Sequence, residues 1–165
     1  MKTTTSQDLP VIDFFDGTEY DFLSNFHPSE VTLYGGLCKP EKPRSFECET
    51  VEHAFQAAKS PYLRQIESIA TAAGPGAAKA MGRTCDIRTD WEAVKVEIMR
   101  ELVRQKFTRH HHLGQMLLDT APAILIEGNT WHDRFWGVYE GEGLNWLGII
   151  LMEVRNELMV MRGRV

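Results

Sequence analysis

The chain has 165 residues, 43% hydrophobic and 25% charged, a balance that suits one buried core and excludes long disorder. Its formal net charge of -5 excludes a general electrostatic attraction to nucleic acid or to an anionic membrane, so a nucleic-acid partner would need a local basic pocket. No apolar run approaches the roughly 20 residues that span a bilayer, and the opening Met1 to Pro10 is polar, which points to the cytoplasm and to no membrane partner.

Residues 1–10 are expected to be a flexible lead, 11–160 a single domain and 161–165 a basic tail. To about Glu49, short β-prone runs (Val11 to Phe15, Val31 to Tyr34, Arg44 to Phe46) alternate with Asp16-Gly17, Gly35-Gly36 and the prolines Pro28, Pro40 and Pro43. Thr50 is placed to cap a helix through Val51 to Lys59 that Ser60-Pro61 ends. A second helix covers Tyr62 to Ala73, and Gly74-Pro75-Gly76 separates it from a helical turn at Ala77 to Met81, closed by Gly82-Arg83. Thr89-Asp90-Trp91-Glu92 matches a capping box, and Trp91, Val94, Ile98 and Leu102 recur at helical spacing to about Phe107. His111 to Asp119 reads as a further helix, and Ala123 to Glu127 as a short buried strand turned by Gly128-Asn129. From Asn145 onward, Leu147, Ile150, Leu151, Val154 and Leu158 share one face of a final helix before Arg162-Gly163-Arg164. The three cysteines, Cys38, Cys48 and Cys85, form no C-x-x-C pair and read as reduced thiols.

Within the helix that Thr50 begins, Glu52, Gln56 and Lys59 line up at i, i+4 and i+7 beside Phe55, so one face offers an acid, an amide and an ammonium. On this segment alone the ordinary reading is a solvated face with an apolar rim, because charged residues are mostly exposed. Lys95 and Lys106 stand four residues after Trp91 and Leu102, where they either snorkel or point into a pocket. Trp91, Trp131, Trp136 and Trp146 are either flat surfaces for a base or core. The segment from Glu127 to Gly137 gathers acids, an amide, an imidazole, a guanidinium and indoles behind a buried strand, where loops carry functional groups, and Asp133 is its leading acid. Gly141 to Gly148 leads into the last helix and either offers backbone N–H groups to a phosphate or forms a turn with an Asn145 cap. Its spacing is not G-x-G-x-x-G. His110-His111-His112 does not suit a metal, since consecutive helical side chains point about 100° apart, and H-E-x-x-H is absent. Ser24 has no nucleophile-elbow setting, which disfavours covalent serine hydrolysis.

In order along the chain, Phe22-Leu23-Ser24-Asn25-Phe26, Thr50 through Lys59, Gly82-Arg83, Arg88 with Trp91, Glu127-Gly128-Asn129, Asp133 with Phe135-Trp136-Gly137, and Gly143 to Gly148 through Arg155 resemble the NADAR superfamily, the YbiA-like N-glycosidases. The likeness runs from about Ile12 to Leu158. It implies a compact, mostly helical α+β domain with a small N-terminal β portion, a pocket for a ribose-phosphate or ADP-ribose group, and neither metal nor cofactor. The activity it implies is hydrolysis of an N-glycosidic bond, in early riboflavin-pathway intermediates for some members and between ADP-ribose and guanine bases for others. Carried over by motif, the acid of V-E-H-x-F-Q is Glu52, the aromatic of R-x-x-W is Trp91, and the acid before F-W-G is Asp133. Two departures are Ala54, where an aromatic is common, and a short stretch between Gly137 and Gly143 that holds Glu140 and Glu142.

Departure of a base from ribose builds positive charge on the sugar, so a carboxylate near the anomeric carbon stabilises the oxocarbenium-like state and orients water. Glu52 is assigned that work. Asp133 helps the base depart or holds the sugar hydroxyls, with Asn25 and Asn129 as neutral partners. Lys59, Arg83 and Lys95 are expected on phosphate, and Trp91 or Trp136 on the base. Phe26, Gln56, Gly137 and Asn145 complete the expected binding set. Three alternatives stay open: a hydrolase releasing ADP-ribose from guanine, for which nucleic acid would serve only as an ADP-ribosylated substrate; a non-catalytic ADP-ribose or NAD reader; and a structural interaction domain.

Overall fold

The computed structural model describes residues 9–34 and 44–163. The opening to Asp8, Gly35-Gly36, Cys38, Pro40, Pro43 and Arg164 lie outside the described residues. Strand β1 (Val11–Ile12) runs parallel to β4 (Ile124–Leu125), and β2 (Val31–Tyr34) pairs antiparallel with β3 (Ser45–Cys48), Val31 opposite Cys48. The run expected to Phe15 stops at Ile12, because only Val11 and Ile12 find partners, in Ile124 and Leu125. The same parallel pairing brings the loops after β1 and β4 to one end of the molecule, where Asp16 and Glu127 meet.

Among the described residues there are six α-helices, α1 (Val51–Ala57), α2 (Leu63–Ala70), α3 (Pro75–Gly82), α4 (Trp91–Arg109), α5 (His111–Asp119) and α6 (Trp146–Met161). This is the mostly helical α+β domain that the motifs imply. Thr50 caps α1 as expected, its hydroxyl accepting from the His53 N–H at 3.3 Å. Pro75 occupies the first position of α3, where its missing N–H is no loss, so that helix starts two residues before the expected turn. The capping box of α4 does not form. Asp90 is instead held by the Arg88 guanidinium at 2.5 and 2.7 Å, and Glu92 receives the Lys95 ammonium at 2.5 Å.

Helix α1 is the centre of the packing. Its seven residues are all buried, with α2, α3 and α4 against it and α6 behind α4. The apolar residues of these elements join one hydrophobic cluster. His53, fully buried, is satisfied at both ring nitrogens, by the Thr50 hydroxyl at 2.8 Å and the Ala72 carbonyl at 3.2 Å. Cys48 and Cys85 are free thiols, Cys48 pushed up to about 12 by burial and then by Glu47. No described helix is long and apolar enough to cross a membrane.

Candidate functional site

A cleft of about 620 Å³ opens between α1, α3, the start of α4 and the loops after Leu23 and β4. It brings together Asn25 and Phe26 from the first loop, Glu52 and Gln56 from α1, Lys59 from the turn after it, where the helix expected to run to Lys59 has already ended at Ala57, Arg83 at the end of α3, Trp91 and Lys95 from α4, and Asp133 and Trp136 from the last loop. The solvated reading of the α1 face therefore gives way. Glu52 and Gln56 retain only 6% and 5% of their exposure, because α3 and α4 enclose the face that the helical spacing aligned.

Glu52 is raised above the ordinary carboxylate range by burial, opposed by a hydrogen bond from Gln56 and by the charges of Lys79, Lys59 and His53. The Gln56 amide donates to Glu52 Oε1 at 2.8 Å. Gly82 permits this arrangement: a Cβ there would stand 2.1 Å from Gln56 Oε1. Burial lowers Lys59 while the Glu52 charge opposes that change, and its ammonium donates to the Gly82 carbonyl at 3.4 Å. Arg83 is exposed.

The loop after β4 is built on its own polar side chains. Asp133 Oδ1 accepts the N–H groups of Phe135 and Trp136, each at 2.9 Å, which fixes the turn that presents Trp136. Asn129, Gly137 and Asn145, expected on substrate, do not line the cleft. Asn129 is buried and clasps the loop, donating to the Asp133 and Val138 carbonyls and accepting from the Asp133 N–H. Asn145 is in the left-handed region (φ 54°) and does not cap α6. Its amide reaches the Leu125 carbonyl and the Glu127 N–H, both at 2.9 Å. Nor is the start of α6 open to a phosphate, since the N–H groups of Leu144, Asn145, Trp146 and Leu147 donate to the carbonyls of Arg134, Gly137, Phe135 and Trp136. The short stretch before Gly143 folds on itself, with Tyr139 and Glu142 exchanging backbone hydrogen bonds, and is not part of the cleft wall.

The cleft also holds charged residues that were not assigned a role from the sequence, Asp16, Lys79 and Glu127, together with Trp131, one of the four tryptophans offered as a flat surface. Lys79 precedes Arg83 by four residues, a helical spacing that signals a shared face. Its ammonium lies 5.4 Å from the Phe26 ring centre and 5.5 Å from that of Trp131, both exposed rings. Glu127 reads in sequence as the end of a strand, a place from which loops carry functional groups. Burial, with Asp16, Asp133 and Glu52, pushes its carboxyl up to about 8 against the pull of Lys79.

Phe55 is wedged between Trp91 (centroids 5.0 Å) and Trp136 (5.2 Å, edge-on), so the two indoles are fixed walls. Lys95 faces the cleft and covers the Phe135 ring at 3.9 Å. Lys106 neither snorkels nor reaches the cleft. It is fully buried and donates to the Ser24 carbonyl at 2.8 Å, behind the loop that carries Asn25.

Residues 14–159 match the NADAR domain model. The chain is 37% identical over 163 residues to the riboflavin biosynthesis protein PYRR, chloroplastic, of Zea mays, across 90% of this chain and 25% of that protein. It is 36% identical to N-glycosidase YbiA of Shigella flexneri, across 91% of this chain and 89% of the relative. It is 44% identical to N-glycosidase Npun_R5314 of Nostoc punctiforme, across 84% of this chain and 86% of the relative. The solution structure of Escherichia coli YbiA superimposes with a TM-score of 0.78 at 34% identity, covering 94% of this chain and 89% of that one. The chain belongs to the NADAR family.

Proposed function

We propose that the protein is an N-glycosidase that hydrolyses the bond between a base and a phosphorylated ribose, such as an amino-pyrimidine ribose phosphate. The observation that carries this reading is Glu52, an acid withheld from water in a cleft that also holds Lys59, Lys79 and Arg83. Its similarity to proteins named N-glycosidase and to a riboflavin biosynthesis protein supports it.

As the bond from C1 of the ribose to the base breaks, positive charge builds on the sugar. The Glu52 carboxylate stabilises that charge and accepts a proton from the attacking water. Gln56 orients the carboxylate, and Lys59 and Lys79 favour its ionised form. Arg83 gives phosphate a two-pronged contact, and Lys59 and Lys95 add point charges. Trp91 and Trp136 flank the base, while Asn25 and Asp133 face the sugar hydroxyls. The reaction needs no redox cofactor, and the reading places it in the cytoplasm. The cleft cations come from three separate places, Lys59 after α1, Lys79 and Arg83 on and after α3 and Lys95 on α4, a spread that favours as a second reading a longer diphosphate such as ADP-ribose joined to guanine.

Incubation with an amino-pyrimidine ribose phosphate, ADP-ribosylated guanosine and NAD, followed by chromatography and mass spectrometry, tests the reading. Free pyrimidine with ribose phosphate is the expected product. Intact ADP-ribose from the guanosine adduct selects the second reading, and saturable binding of ADP-ribose or NAD without any product refutes hydrolysis.

A further inference from the structure

Glu127 stands two residues past the end of β4 and lines the same cleft as Glu52, yet its Oε2 is buried and has no hydrogen-bond partner among the described residues. Its backbone is gripped on both sides. The N–H donates to Asn145 Oδ1 at 2.9 Å, and the carbonyl accepts from the Val138 N–H at 2.8 Å. Gly137 approaches so closely that a Cβ there would stand 2.1 Å from the Glu127 carbonyl oxygen and 3.0 Å from its Cγ. Gly137 and Asn145 thus fix the backbone that carries Glu127.

The charged groups facing Glu127 are Asp16 from the loop after β1, Asp133 from the loop after β4 and Glu52 from α1, with Lys79 of α3 as the opposing cation. Glu52, by contrast, receives the Gln56 amide and the charges of Lys79 and Lys59. Burial raises both carboxyls, but they differ in their partners: Glu52 accepts a hydrogen bond and has Lys79, Lys59 and His53 to favour its charge, whereas Glu127 Oε2 is unpartnered and meets three acids against Lys79 alone. Such a pair divides acid and base roles between its members.

We infer that Glu127 is the general acid of the reaction, protonating the departing base while Glu52 works as the carboxylate. This rests on the N-glycosidase reading. The Glu127 carboxyl proton passes to the base nitrogen as that nitrogen takes the electron pair of its bond to C1. Water adds its oxygen to C1 and gives a proton to Glu52, leaving ribose phosphate and the protonated base. Glu52 then returns its proton to solvent, and Glu127 is reloaded from solvent. Burial, with Asp16, Asp133 and Glu52, pushes the Glu127 carboxyl up to about 8, which favours its protonated form at neutral pH.

The test measures kcat and KM against pH for wild-type, Glu127→Gln and Asp133→Asn proteins on an amino-pyrimidine ribose phosphate, beside a carbon-13 NMR titration of the glutamate carboxyls without substrate. Glu127→Gln keeps the neutral shape, so it is expected to lose on the order of 10²-fold or more in kcat with KM little changed. The wild-type fall in kcat above about pH 8 should also disappear. In the NMR titration, the resonance absent from Glu127→Gln is expected to remain protonated at pH 7. Wild-type turnover with an unchanged Glu127→Gln profile, or a Glu127 carboxyl ionised at pH 7, overturns the assignment and leaves the N-glycosidase reading intact. A protonated Glu127 in a wild-type protein that releases no base rejects that reading, and the catalytic role with it.

Discussion

Replacing Lys106 with methionine is expected to change how stability depends on pH. Lys106 is fully buried, and burial lowers its ammonium from 10.5 to about 7, with Asp21 opposing. The unfolded chain keeps this proton up to about pH 10, whereas the folded protein releases it near pH 7. Between those values the unfolded state binds more protons, so Lys106 makes stability rise with pH. Each tenfold change in proton affinity corresponds to about 1.4 kcal/mol, so the span from 10.5 to about 7 sets a ceiling of about 5 kcal/mol. Structural relaxation and water penetration reduce this to an expected 2 to 3 kcal/mol, an order-of-magnitude figure. Methionine preserves the volume but leaves the Ser24 carbonyl without its donor, a loss of about 1–3 kcal/mol at any pH. Urea unfolding of both proteins from about pH 6.5 to about pH 9.5 checks this. The stability deficit of Lys106→Met should widen steadily as pH rises. A constant or narrowing deficit refutes the claim that the fold favours the neutral amine.

Gly82→Ala places a methyl 2.1 Å from Gln56 Oε1 and 2.9 Å from its Cβ, so Gln56 must shift away from Glu52. The expected loss of stability is about 1–3 kcal/mol, and kcat should fall further than KM rises, as steady-state kinetics beside a melting curve will show. Arg83→Gln should raise KM for a phosphorylated riboside about tenfold or more while leaving kcat near wild type, because it removes contact with a non-reacting phosphate. The corresponding unphosphorylated riboside serves as the control and should show no such change.

Features decided within a few residues were legible in the sequence. Thr50 caps α1 through a contact three residues away, and α5 spans His111–Asp119 as its pattern predicts. Features decided across the chain were not. Asn145, a cap by sequence, lies in the left-handed region to tie Leu125 and Glu127 together. The N–H groups before α6 are taken by carbonyls of the preceding loop, which removes the phosphate cradle. The helical spacing of Glu52, Gln56 and Lys59 set their common face. That the face is enclosed depends on α3 and α4, and no local pattern distinguishes it from a solvated one. The environment of Glu127 was hidden for the same reason, since its carboxyl is raised by burial and then by Asp16, Asp133 and Glu52, which are brought to it by the β1 and β4 pairing and by α1.

The central claim is that Glu52 drives cleavage rather than merely lining a binding cleft, and the most direct test compares turnover and affinity in Glu52→Gln, which keeps the shape and removes the charge. The account predicts a loss of on the order of 10²-fold or more in single-turnover release of base, with the dissociation constant for the ribose phosphate product nearly unchanged. A folded Glu52→Gln protein that releases base at the wild-type rate would contradict it.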